Sequence, residues 1–151
     1  MKPPPVIDNC RVLLYAEVPD ALAFSGHTSI FVKGMELGRV PCLAIGTQAS
    51  GEYLLFHCDR NWSVLGCSEH GSISEAQQYC EKVYPGLSRS WIETNVTESM
   101  ATEFLKEIWK DQDCSFCGKI PPEIEQLVEK SGVRICDGCI REFYALLDEP
   151  T

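Results

Sequence analysis

The sequence predicts an α+β protein, a mostly antiparallel sheet with two helices over residues 1–110, followed by a small four-cysteine metal module over residues 111–151. Three observations carry this. Residues 11–67 hold five short runs rich in β-branched, aromatic and aliphatic residues, separated by turn formers. Beyond them the hydrophobic period changes from two to about 3.6. The chain then closes on two C-x-x-C pairs.

The five runs are "RVLLYAEV" (11–18), "TSIFVK" (28–33), "RVPCLAIGT" (39–47), "EYLLFHC" (52–58) and "WSVLGC" (62–67). Their short connections, such as "GMELG", "QASG" and "DRN", predict antiparallel neighbours. In the fourth run Leu54, Phe56 and Cys58 share one face and Tyr53, Leu55 and His57 the other. Both faces are largely apolar, which predicts a central strand covered on both sides. Ser72 then stands three before Glu75 as a capping box. Ala76, Tyr79, Cys80 and Val83 follow at helical spacing until "YPG". After an extended "SRSWIE", Asn95 and Glu98 repeat the capping spacing. Ala101, Phe104, Leu105 and Ile108 form the stripe of a second helix ending near Lys110.

Composition excludes several partners. The formal charge is −9, and neither the part up to Lys110 (13 acidic, 9 basic) nor the remainder (9 acidic, 4 basic) has the basic excess that a phosphate backbone or acidic membrane surface requires. "MKPPPVIDNC" has no apolar run of signal length behind it, and no stretch has the length of a spanning helix, so the expected location is the cytoplasm. The nine cysteines are odd in number, and four of them form the two pairs. In a reducing compartment that pattern reads as metal rather than disulfide.

Cys114, Cys117, Cys136 and Cys139 read C-x2-C-x18-C-x2-C. Zinc takes four tetrahedral ligands, and two residues between paired cysteines let both sulfurs of a tight turn reach one ion. Gly118 suits a positive φ that turns an amide towards the sulfur. Pro121 and Pro122 suit the first turn of a short helix with Ile124, Leu127 and Val128 on its apolar side and Ser131-Gly132 at its end. Cys136 and Cys139 open a helix on which Ile140, Phe143, Tyr144 and Leu147 recur at i, i+3, i+4 and i+7. Four protein sulfurs leave no position for substrate water, so the expectation is one structural zinc per chain.

"CSFCGK", then "ICDGCI" and an amphipathic helix, resembles the N-terminal zinc-binding domain of ClpX, the AAA+ unfoldase that feeds the ClpP protease. The resemblance spans roughly residues 112–148 and implies a treble-clef-like fold with Cys114, Cys117, Cys136 and Cys139 as zinc ligands. It also implies a domain that dimerises and docks adaptors and some substrates. Here the segment stands at the end of the sequence rather than leading it, and no G-x-x-x-x-G-K-[ST] is present, so the expectation is that the protein is not an unfoldase. Gly138 stands where that family usually has an acidic residue, and adaptor specificity is not carried over.

Roughly 37 residues bury too little surface to stand alone, and zinc supplies only part of the deficit. The row Ile140, Phe143, Tyr144 and Leu147, with Leu146 beside it, is therefore the expected interface of a homodimer, the alternative cover being the first domain of the same chain. The expected function is non-enzymatic docking or assembly in a bacterial cytoplasm, with a second copy and another protein (an adaptor, client or toxin) as partners. A rival reading is an immunity protein that neutralises a toxin, since the stretch from "EYLLFHC" to "SRSWIE" is similar to small bacterial domains of that kind. A third is a Cys/His hydrolase drawn from Cys58, Cys67, His27, His57 and His70. Against it, Cys10, Cys42, Cys58 and Cys80 sit in apolar patterns, where free cysteine behaves as a small hydrophobe.

Overall fold

The computed structural model describes residues 1–26 and 31–150. His27 and the first half of the run at 28–33 lie outside the described residues. In chain order the elements are β1 (Val6–Ile7), β2 (Cys10–Glu17), β3 (Phe31–Val32), β4 (Met35–Glu36), β5 (Cys42–Thr47), β6 (Tyr53–Cys58), β7 (Val64–His70), α1 (Ile73–Val83), β8 (Ile92–Glu93), α2 (Glu98–Ile108), β9 (Leu127–Lys130), β10 (Val133–Cys136) and α3 (Asp137–Asp148). Two compact units divide them, Met1–Ala101 and Thr102–Thr151. Three α-helices stand among the described residues rather than two, the third being the closing helix of the cysteine module. None of them is long and apolar enough to cross a membrane.

The first unit is built on one antiparallel sheet in the order β1-β2-β5-β6-β7, with β8 also paired to β2. β6 lies between β5 and β7, and its alternate residues enter different cores. Leu55 packs with Leu43, Ile45, Ala16 and the inner side of α1 (Ala76, Cys80, Val83). Phe56 and Cys58 pack on the other face with Val12, Ala44, Tyr15 and Trp62. Strict alternation on two buried faces is what makes the strand read as a continuous apolar run.

β2 breaks its own alternation. Its register against β5 shifts between Val12 and Leu14, so Tyr15 joins Val12 on one face while Leu14 and Ala16 turn to the other. Thr94 serves this bulge. Its hydroxyl donates to Val12 O at 2.6 Å, and its amide donates to Leu13 O at 3.0 Å. Tyr15 then meets Trp62 edge to face, with ring centroids 5.7 Å apart.

α1 begins at the expected cap, where the Glu75 amide donates to Ser72 Oγ at 3.1 Å and Glu75 Oε2 accepts the Gly71 amide at 3.1 Å. At its other end Tyr84 is buried, its hydroxyl accepting the Val40 amide at 2.9 Å, and Gly86 takes a φ of 96°. The cap of α2 differs from expectation. Asn95 has a left-handed φ of 59°, and Thr97 Oγ1 accepts the Met100 amide at 3.2 Å, so Thr97 starts the helix.

His57 is 2% exposed, and its Nε2 has no hydrogen-bond partner among the described residues. Burial, with a smaller contribution from His70, pushes its pKa down from 6.5 to about 4. Between these values the folded state binds fewer protons than the unfolded chain, so stability present above about pH 6.5 is lost as the pH falls towards 4, by about 3 kcal/mol in all. In His57→Leu, urea midpoints followed at the Trp62 indole are expected to vary less across this window than in the parent chain. An equally steep fall in both proteins contradicts the assignment.

Candidate metal centre

The cysteine module starts from a turn. Gly118 takes the expected positive φ, 76°, but its own amide donates to Cys114 O at 2.9 Å, and it is the Lys119 amide that serves the Cys117 sulfur. The Cys114 amide closes the turn by donating to Lys119 O at 2.8 Å. Pro121–Glu123 forms a single turn of 3-10 helix, in which Glu123 Oε2 accepts the Ile120 amide at 2.9 Å.

The short helix expected between the two pairs is instead an antiparallel hairpin of β9 and β10, with Leu127 opposite Cys136 and Lys130 opposite Val133. The reason lies in the turn. Ser131 and Gly132 have φ of 53° and 78°, and positive φ at both central residues gives a two-residue connection whose twist matches paired strands. "LVEK-SG-VRIC" carried that signal, and a reading of Ser-Gly as a helix stop missed it.

Cys136 ends β10 and is also the N-cap of α3, its Sγ accepting the Cys139 amide at 3.4 Å. The Cys136 amide in turn donates to Cys114 Sγ at 3.3 Å. Helix amides thus point at sulfur, which favours thiolate over thiol.

All four sulfurs lie within 4.8 Å of one another. Cys114 and Cys139 are 3.8 Å apart at Sγ, Cys117 and Cys136 3.7 Å. Four sulfurs bound tetrahedrally at 2.3 Å would be separated by about 3.8 Å, so the residues fit zinc. The electrostatics suit a bound cation as well. Desolvation works against ionising Cys114, but amides of Cys117, Phe116 and Cys136 outweigh it and pull the thiol down to about 6. Cys139 is pushed up to about 12 by desolvation and then by its three thiol neighbours. Four such groups cannot all ionise at this spacing unless a positive ion sits among them.

Two residues that sequence reasoning did not single out hold the pairs in place. Arg134 Nε donates to Asp113 O at 2.8 Å and its amide to Ser115 Oγ at 2.9 Å, while the Ser115 amide donates to Arg134 O at 2.8 Å. The first cysteine turn is thereby laced to β10. Asp137, at the first turn of α3, accepts the Gln126 and Glu125 amides at 3.3 Å and pairs with Arg141 at 2.7 Å. These contacts hold its carboxyl below the usual carboxylate range. They tie the helix that carries Cys139 to the approach to β9.

The expected interface residues are all on α3 and exposed: Ile140 by 41%, Phe143 by 38%, Tyr144 by 65% and Leu147 by 82%. Phe116, from the first cysteine turn, meets Phe143 edge to face at 5.3 Å. Among the described residues, the cysteines and histidines of the first unit join no group of three or more that could hold a metal. Cys67 and His70 stand three apart on β7 and so face opposite ways, and His70 Nε2 lies 2.9 Å from Ser68 Oγ. Cys58 is fully buried, and desolvation first, then Cys42, pushes it to about 12, the state of a packed thiol.

No solved structure matches the chain. A family model, the ClpX C4-type zinc finger, matches residues 112–149, the segment that contains all four cysteines. The chain therefore carries a ClpX C4-type zinc finger with a four-cysteine metal-binding site.

Proposed function

We propose that this is a non-enzymatic bacterial protein of the cytoplasm whose zinc finger serves docking and assembly, joining two copies and presenting the module to another protein. One observation carries the reading: the module buries almost nothing except its cysteines, yet it displays a row of large apolar side chains. Within Thr102–Thr151 the buried side chains among the described residues are Cys114, Ile120, Cys136 and Cys139. Around them Phe116, Ile140, Phe143, Tyr144, Leu146 and Leu147 remain exposed. An apolar row of this kind on so small a unit marks an interaction surface. Its partner is a second copy, as the likeness to the ClpX zinc finger suggests.

The order of a cysteine turn, a hairpin and a helix that begins at the second cysteine pair supports a treble-clef arrangement around one zinc. The ion has no catalytic task in this reading. It organises the segment, because a unit whose apolar cluster is no more than Ile124, Leu127 and Ile135 packed on the buried cysteines obtains much of its folding free energy from metal binding.

Elemental analysis of the purified chain is expected to give one zinc per chain, and Cys136→Ala to give none. In that variant the amides of α3 and the hairpin lose their exchange protection while those of β5 and β6 keep theirs. Zinc retained by Cys136→Ala contradicts the ligand assignment.

Light scattering is expected to report twice the mass of the 16.9 kDa chain at micromolar concentration, and a monomer for Phe143→Asp. A parent chain that is already monomeric contradicts the dimer.

A further inference from the structure

Outside the zinc finger, two cysteines face each other. Cys42, the first residue of β5, stands directly opposite Cys58, the last of β6, and both side chains enter the cluster of Phe56, Tyr15 and Trp62. No other two cysteines among the described residues of the first unit are opposed across paired strands. Both are free thiols, 5% and 0% exposed. Cys42 also forms part of the wall of a cavity of about 480 Å³, together with Glu17, Val18, Pro19, Pro41 and Arg60. One sulfur of the pair thus borders a space large enough for a small molecule, and the second lies one strand away.

The strand register decides what can join the two sulfurs. In the same hairpin the Gln48 amide donates to Glu52 O at 3.1 Å, which makes those residues a hydrogen-bonded pair. Such pairs recur at every second residue of an antiparallel ladder. The register runs unbroken from Thr47 opposite Tyr53 to Cys42 opposite Cys58, so the cysteines are a hydrogen-bonded pair as well. That is the wider of the two pair types, with Cβ atoms roughly 5.5 Å apart, whereas a disulfide takes them at about 3.8 Å. A bridge with one atom between the sulfurs fits where a direct sulfur–sulfur bond is strained. Charge narrows the choice of that atom. Desolvation first, and then Cys42, push the Cys58 thiol up to about 12, while desolvation and then Glu17 raise Cys42. Both sulfurs keep their protons, so the bridging group must react with neutral thiols and leave the buried pair uncharged.

We propose that Cys42 and Cys58 form a dithiol site for a small, uncharged trivalent arsenical, such as arsenous acid, admitted through the cavity that Cys42 lines. Cysteine sulfur is a soft ligand, matched to soft, thiophilic centres. Each thiol sulfur attacks arsenic, and its proton leaves with one arsenic-bound hydroxide as water. Two S–As bonds form as two As–O and two S–H bonds break. Arsenic stays trivalent, and no oxidant or reductant takes part. The third arsenic ligand, a hydroxyl, remains on the cavity side, and the product is neutral. This site is separate from the zinc finger and does not rest on its reading.

The test uses sodium arsenite, which is arsenous acid near neutral pH, and the full-length, zinc-loaded chain. Native mass spectrometry is expected to show one arsenic bound with loss of two waters and the zinc retained. X-ray absorption at the arsenic edge is expected to show two sulfur neighbours and one oxygen. Cys42→Ala and Cys58→Ala are each expected to weaken binding on the order of 100-fold, because a single thiol loses the effective concentration of the second, while Cys67→Ala leaves binding unchanged. The arsenic-edge measurement on the parent chain needs no variant, so a substitution that fails to fold does not remove the test. No binding, a shell of three sulfurs, displacement of zinc by the first arsenic, or undiminished binding in either alanine variant with the parent's circular dichroism would each overturn the proposal.

Discussion

The C-terminal module depends on four sulfurs being drawn to one point. Ile120 is the one non-cysteine side chain buried among the described residues of Thr102–Thr151, and burying an isoleucine contributes only about 1.5–3 kcal/mol. Ordering a segment of this length costs far more. Structural zinc in small modules contributes roughly 10–16 kcal/mol, so a zinc bound here as proposed would be the dominant favourable term. A cation would also remove a local conflict, because four thiolates this close repel one another.

The rest of the module is arranged to deliver the sulfurs. The hairpin brings Cys136 back to the first cysteine turn, Arg134 fastens that turn to β10, and Asp137 fastens α3 to the chain before β9. The Met1–Ala101 unit is built on the opposite principle. Its central strands are apolar on both faces and fill two cores, one against α1 and one against Trp62 and Tyr15. Loss of metal and loss of a core side chain should therefore fall on different parts of the chain.

The sequence made the metal centre legible because zinc imposes a spacing that chance seldom produces, and Cys114, Cys117, Cys136 and Cys139 meet as that spacing requires. The sheet of the first unit was legible because β5 and β6 carry continuous apolar runs. Errors fell where local signals compete. Ser131-Gly132 can stop a helix or turn a hairpin, and Leu127 and Val128 fit either until the partner strand is known. Asn95 matched the capping spacing, but its left-handed backbone left the cap to Thr97. The bulge at Leu13 had no sequence signature, because the groups that satisfy it come from Thr94, far along the chain. Arg134 and Asp137 read as ordinary surface charges; their importance comes from backbone groups that only the fold brings near them.

The central claim is that one zinc, bound by sulfur alone, organises this module. X-ray absorption at the zinc edge of the purified full-length chain tests it most directly. The account predicts a single shell of four sulfur neighbours at about 2.3 Å. A shell containing nitrogen or oxygen, or fewer than four sulfurs, would contradict it.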